Sequence, residues 1–422
     1  MLLASTGNDD QPRGAESEPF DHAHPRSASF TIKVMENEFD VVIVGGGVIG
    51  SACAYFLTMD PNFHGRVAVI EPDPSYAQAA SALSASSIRQ QFSTPINIAL
   101  SAFGVDFLRD APKKGFAPLG LVESSYLYLA TSAGRRALEE RVAIQRSVNV
   151  PVRMHDREAL SQRYPWLNTS DLAAGTDTVG VEGWFDGYAL LAGFRAANER
   201  AGVRYLRDRV IGFEQSPALA IAAVKLQQRG SIDCGTAVLA AGTRSRELAA
   251  GAGIELPVFA RKRTVCVFSC PETIPRCPLV IDPSGLWLRP EGERFLCGIP
   301  QDPDPNVSPD DFEIDHGLFE SIAWPILAHR VPAFEAVRVA SAWVGHYDYN
   351  TFDQNAFVGP ASGIANLLLA CGFSGHGLQQ APGIGRGMAE YIMYGAYRSL
   401  DLSPLSYERL LKNRPLRELN VI

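Results

Sequence analysis

Three stretches concentrate residues whose types and spacing could do chemistry. The first is CGFSGHGLQQAPGIG (371–385), five glycines around one imidazole, His376, just ahead of a segment patterned as a helix, GRGMAEYIMYG. Glycine removes the side chain that would hold a flat ligand off the backbone, and helix-opening N–H groups favour negative charge. A linker is the alternative reading of that stretch. The second is VGGGVIG (44–50), with Gly45, Gly47 and Gly50 in G-x-G-x-x-G spacing after the β-branched run DVVIV (40–44). Val48 and Ile49 open the small-residue helix that follows, and RVAVIEP (66–72) ends in Glu71, 21 residues beyond Gly50. Strand, glycines, helix, strand and terminal acid in that order suit a dinucleotide: pyrophosphate on the helix N-terminus, ribose hydroxyls on the acid. A tight βα turn without a ligand is the competing reading. The third is SYAQAASALSASSIRQQFS (75–93), where Ser81, Ala82, Ser86 and other small side chains surround a single cation, Arg89. It suits a ligand lying flat, or an ordinary serine-rich loop.

The elements that must position these residues follow from pattern. TAVLAAGTRS (236–245) reads as a buried strand closing in Ala241 and Gly242, and the segment 179–214 as turn, helix, then a strand through Val210. SSYLYLAT (124–131), RTVCVFSC (263–270) and GLWLRPEGERFLCGIP (285–300) alternate as half-buried strands do. The expected fold is α/β: a Rossmann-like nucleotide-binding domain, 38–115, 186–255 and 344–400, with an inserted mixed or antiparallel-sheet substrate domain, 116–185 and 256–343. Residues 1–37 are expected to be a disordered tail and 401–422 a C-terminal extension.

Composition excludes several classes. The 422-residue chain has a net charge of −8 and no basic block, which argues against nucleic acid. Its seven cysteines are odd in number and scattered, so neither a disulfide framework nor a metal site is expected, and a reducing, cytoplasmic setting is. No run of 18 apolar residues suggests a transmembrane segment. The polar N-terminal stretch lacks the apolar core of a signal peptide.

VGGGVIG, VLAAG, AWVGHYDYNTFDQNAFVGP (342–360) and GFSGHG (372–377), in that order, resemble the D-amino-acid-oxidase-like (DAO) flavoproteins over about residues 38–400. Within that family SIRQQFS, YPWLNT, EGWFD and GFSGHGLQQAPGIGR resemble a branch with bacterial members and a mitochondrial member linked to respiratory complex I assembly. The resemblance implies FAD, its ring between the two domains, with Gly345 and Gly372, Phe373, Ser374, Gly375, His376, Gly377 and Leu378 against it. It implies oxidation of a C–N bond in an amine or amino acid by hydride transfer to flavin N5. Arg89 falls beside the flavin and Trp287 on the strand lining the substrate cavity. His346 stands where sarcosine oxidase carries the cysteine bonded to FAD, so non-covalent FAD is expected. Tyr347 and Gln379 replace an arginine and a lysine that hold substrate carboxylates. The thinned clamp favours a larger or less acidic amine. Leu296 falls where sarcosine oxidase has an oxygen-activating lysine, with Arg294 two residues away, so a dehydrogenase using a quinone or electron-transfer flavoprotein is expected. An NAD-linked Rossmann dehydrogenase and a flavin-bearing assembly protein are the alternatives.

Overall fold

The computed structural model describes residues 37–419, so the expectation for the N-terminal tail lies, but for Asn37, outside the described residues. The run DVVIV belongs to the strand Glu38–Val44, flanked in parallel by Val67–Glu71 and Gly230–Leu239. Its side chains divide between two cores. Val41 and Ile43 join Val67, Val69 and Val238 on one face, while Val42 and Val44 join Ala68, Ile70 and Leu239 on the other. Burial on both faces is why the run is continuously apolar rather than alternating. The sheet continues in parallel through Arg204–Arg207 at one side and Leu367–Cys371 at the other, where Phe357–Pro360 adds an antiparallel edge. An antiparallel meander, Val210–Gln215 and Ile221–Leu226, leads into Gly230–Leu239.

Helices Val48–Thr58 and Gly377–Tyr394 cross one face of this sheet in close contact. Two glycines of the 371–385 stretch let Gly377–Tyr394 pack closely, Gly385 against that first helix and Gly383 against the helix Pro95–Asp110. A Cβ on Gly385 would stand 2.6 Å from the carbonyl carbon of Ala52, and one on Gly383 would stand 2.7 Å from Leu100 Cδ2.

A second eight-stranded sheet carries the alternating segments, in the order Arg338–Asn350, Val258–Ser269, Arg294–Gly298, Trp287–Glu291, Leu279–Ile281, Tyr126–Thr131, Leu172–Asp177, Arg153–Asp156. Neighbours are antiparallel except Leu279–Ile281 and Tyr126–Thr131. Leu127, Leu129, Leu288 and Cys297 enter a core on one face, and Tyr126, Tyr128, Leu279 and Ile281 pack with Trp287 on the other. The alternation in SSYLYLAT is thus leucine to the core and tyrosine to the opposite face. The expected boundary at 343/344 falls inside the 13-residue strand Arg338–Asn350, which spans the length of Val258–Ser269. Residues 401–419 do not hang free: Arg409 is buried and its Nε donates to Asp353 Oδ2 at 2.7 Å.

Candidate active site

A single cavity of about 660 Å³ runs from the glycine turn to the aromatic face of the second sheet. At its first end lie Gly45, Gly47, Val48, Ile49 and Glu71. Gly45 adopts φ +103°, and a Cβ there would meet the Ala240 carbonyl oxygen at 2.3 Å. Only glycine closes that turn against the Val238–Gly242 strand end. Gly50 stands behind the wall, where a Cβ would lie 2.0 Å from the Gly45 carbonyl oxygen. Glu71 Oε2 accepts from Gly46 N and Oε1 from Asp73 N, both at 2.9 Å. Burial raises its carboxyl above the usual value, against those two hydrogen bonds. Each oxygen keeps lone-pair capacity for a hydroxyl. Ser81 Oγ accepts from Val48 N at 3.0 Å, which ties the serine-rich segment to the helix start.

Val210, Ala241 and Gly242 line the cavity beyond this point, followed by Ser81 and Ser86 on one side and Gly345 on the other. Phe373, Ser374, Gly375, His376, Gly377 and Leu378 form the floor. Two more expected residues stand outside the wall. Ala82 N donates within its own turn to Ala79 O, and Gly372 N donates to Asp348 Oδ2 at 2.7 Å. The glycine turn, the helix start and the buried acid make a cradle that fits an extended dinucleotide such as FAD.

At the other end the structure brings Arg89 to His376 and Gln379, 287 and 290 positions further along the chain. Arg89 is 5% exposed; its N–H donates to Gln379 Oε1 at 2.9 Å, and its Nη2 lies 3.2 Å from His376 Nε2. A guanidinium only donates, so Nε2 accepts and the ring proton sits on Nδ1. Phe92 lies 4.5 Å from the guanidinium and 5.0 Å from the imidazole centroid, wedging the pair from behind. Gln379 also accepts from Ser101 Oγ at 3.2 Å, so its carboxamide oxygen is committed to holding Arg89 in place.

The remaining expected residues form the walls. Tyr347 lies over Gly375, where a Cβ would be 2.5 Å from Cε2, and Arg263 stands 4.8 Å from the other face of its ring. His346 is buried against the edge of Phe312 at 4.5 Å; burial lowers its basicity, partly offset by Asp311. The Trp287 indole lies across Gly298, where a Cβ would be 2.0 Å from Nε1. Leu296 is buried and stands cross-strand from Arg289, outside the cavity wall. Arg289 is itself buried, with Nη2 on Ala85 O at 2.9 Å and Nη1 on Glu291. Arg294 is exposed at the strand start, paired with Glu291.

Sequence reasoning missed three groups here. Arg263 lines the cavity and is gripped by Asp304 through Nη1 at 2.8 Å and Nη2 at 2.9 Å. Tyr126 lines the cavity, and the alternation of SSYLYLAT could have flagged it. Asp348, a lone acid in GHYDYN, is half-buried beside the floor loop at the cavity wall, and desolvation pushes its carboxyl up to about 6. No pattern marked it or Arg263. Among the described residues no cluster of His, Cys, Asp or Glu could hold a metal, and no helix is long and apolar enough to cross a membrane.

A dinucleotide cradle on a parallel sheet, opening onto the face of a second mixed sheet, defines a two-sheet flavoprotein oxidoreductase architecture. The family model for the FAD-dependent oxidoreductases (DAO) matches residues 40–391, and the chain belongs to that family. The chain is 38% identical over 428 residues to FAD-dependent oxidoreductase domain-containing protein 1 of Xenopus laevis, covering 91% of this chain and 85% of that one. Among solved structures it is similar to L-proline dehydrogenase from P. horikoshii, with TM-score 0.80, 22% identity and coverage of 90% of this chain and 99% of that one. Glycine oxidase from Geobacillus kaustophilus follows at TM-score 0.76 and 21% identity, covering 88% and 98%.

Proposed function

We propose that this protein oxidises the C–N bond of an amine or amino acid, with secondary or N-methyl amines and D-amino acids as the substrate classes. The observation that carries the reading is one continuous cavity joining the cradle at Gly45 and Glu71 to Arg89, Tyr126, Trp287 and Tyr347. When bound, FAD supplies the hydride acceptor. Glu71 and the glycine turn hold its adenosine end, and the loop from Phe373 to Leu378 supports the ring, held without a covalent bond. The helix opening at Gly377 favours negative charge that gathers on a reduced ring. Arg89, oriented by Gln379 and His376, receives the anionic or polar end of the substrate. Arg263 is matched by Asp304, so the carboxylate clamp is thin, and the aromatic surfaces of Tyr126, Trp287 and Tyr347 suit a bulkier, less acidic amine. The adenosine-to-aromatic order of the wall supports dividing the chain into a cofactor domain and a substrate domain.

Leu296 is aliphatic, and neither it nor Arg289, which is tied to Ala85 and Glu291, lines the cavity, so this strand pair brings no cation to the site. This supports a dehydrogenase that passes electrons to a quinone or an electron-transfer flavoprotein. The unpaired cysteines support a reducing, cytoplasmic setting. The test is an anaerobic screen of N-methyl, D- and L-amino acids against the FAD-loaded protein, reading loss of the visible flavin band. Bleaching by a member of these classes is the expected result. A yellow protein bleached by none would favour a flavin-bearing assembly protein, and one that binds NAD instead would overturn the reading.

A further inference from the structure

Five hydrogen bonds converge on one carboxylate behind the substrate end of the cavity. Glu418, 1% exposed, accepts from Ser93 N at 2.8 Å and Ser93 Oγ at 2.6 Å through Oε1. Through Oε2 it accepts from Thr94 N at 3.2 Å, Thr94 Oγ1 at 2.9 Å and Asn97 Nδ2 at 3.0 Å. Thr94 caps the helix Pro95–Asp110, so the carboxylate also sits at a positive helix end. The segment carrying it is clasped on both sides: Leu416 N donates to Asp353 Oδ2 at 2.9 Å, Glu418 N to Asp353 O at 3.2 Å, and Leu419 N to Ser93 Oγ at 2.8 Å.

This anchor is wired to the site. Ser93 is next to Phe92, the ring that wedges Arg89 and His376 together. Asn97 receives a hydrogen bond from Gln380 Nε2 at 3.0 Å, and Gln380 adjoins Gln379, which holds the Arg89 backbone. Burial opposes ionisation of Glu418, yet the hydrogen bonds from Ser93 and Asn97 outweigh it and keep the carboxyl below its usual value. Desolvation opposes the charged form of Arg89, and the field of Glu418 favours it.

We infer that Glu418 is a positioning residue for the active site: a buried counter-charge, delivered by the clasped segment 416–419, that balances the Arg89–His376 pair and sets how strongly it draws anions. A helix cap alone would leave Arg89 indifferent to its removal. A counter-charge would not, because removing one member of a buried charge set strands the other.

The inference rests on placing Arg89 and His376 at the substrate end, but its tests need no turnover. The first is a double-mutant cycle in melting temperature with E418Q, R89Q and E418Q/R89Q. E418Q is expected to lower the melting temperature, and R89Q is expected to restore most of the loss in that background. Additive losses overturn the inference. If E418Q fails to fold, recovery of soluble folded protein in the double variant supports it, and a double variant no more soluble than E418Q overturns it. The second test titrates the FAD-loaded E418Q protein with benzoate and benzamide, read by perturbation of the flavin spectrum. Removing a buried unit negative charge near the site is worth on the order of tenfold in anion affinity. Benzoate is therefore expected to bind about tenfold more tightly and benzamide unchanged. Equal changes in both probes, or none in either, overturn the inference. A protein that takes up no FAD refutes the cofactor reading instead and leaves the melting cycle to decide.

Discussion

At the scale of single residues, three side chains have separable consequences. Glu71 makes two backbone hydrogen bonds that shape the turn and faces the cradle with its remaining lone pairs. Loss of a buried charge-assisted hydrogen bond costs about 1.5–3 kcal/mol, so Glu71→Ala is expected to weaken FAD retention roughly tenfold or more. Equilibrium dialysis of the apoprotein against FAD checks this, and unchanged affinity would show the acid is only a turn brace. Arg89→Ala is expected to lose roughly ten- to hundredfold in kcat/KM while keeping its flavin. If that variant instead sheds FAD and keeps its substrate preference, Arg89 belongs to the cofactor. Asp348 gives a pH signature. Its folded pKa of about 6 lies above the ordinary 3.8, so the native state holds a proton that the unfolded chain has released. Its contribution to stability is complete below the unfolded value and is lost as pH rises through about 6, on the order of 3 kcal/mol in all. An asparagine can accept the Gly372 N–H as the neutral acid does. Asp348→Asn is therefore expected to flatten the fall in melting temperature between about pH 4 and 6, without loss at higher pH. A variant whose melting curve tracks the wild type across that window would refute the assignment.

At the scale of elements, the floor loop and the strand beside it are made for each other. Gly375, at φ +90°, lies directly under Tyr347, and no side chain fits between them. Gly375→Ala must either push the tyrosine toward Arg263 or lift the loop into the cavity. Because the global cores lie elsewhere, the variant is expected to keep cooperative unfolding but to be purified with at most about a tenth of the wild-type flavin content, a loss of some 1.4 kcal/mol or more. Full flavin occupancy would mean that the loop does not support the ring. The strands and helices themselves were largely legible. The apolar run of Glu38–Val44 and the leucine–tyrosine alternation of Tyr126–Thr131 each state which faces are buried. The strand Arg338–Asn350, across which the expected boundary at 343/344 falls, pairs with Val258–Ser269 over its whole length, and no turn residue interrupts it.

At the scale of the whole molecule, the two sheets share one cavity, and the electrons that enter it must leave. Neither Leu296 nor the anchored Arg289 lines the cavity, and electron transfer to O₂ is accelerated by a fixed cation at the ring, which this strand pair does not place there. The reduced protein is expected to be reoxidised slowly in air and at least about tenfold faster by a quinone analogue, as seen by stopped-flow absorbance. Air oxidation that keeps pace with quinone-supported turnover would make it an oxidase.

What the sequence determined by itself is the cofactor half: strand, glycine turn, helix and Glu71 lie within one short stretch, and each piece is dictated by local backbone geometry. Within 371–385, Gly375 and Gly377 face the cavity while Gly383 and Gly385 let helices touch. Composition cannot distinguish a glycine that admits a ligand from one that admits a neighbouring helix. Only the tertiary structure joined Arg89 to His376 across 287 positions, matched Arg263 to Asp304, and brought Glu418 back to Ser93 across 325. Periodicity tells a side chain which face to bury, but not what meets it there. That partner is chosen by how distant strands and helices pack, and a buried charge is tolerable only where the packing has delivered its counterpart.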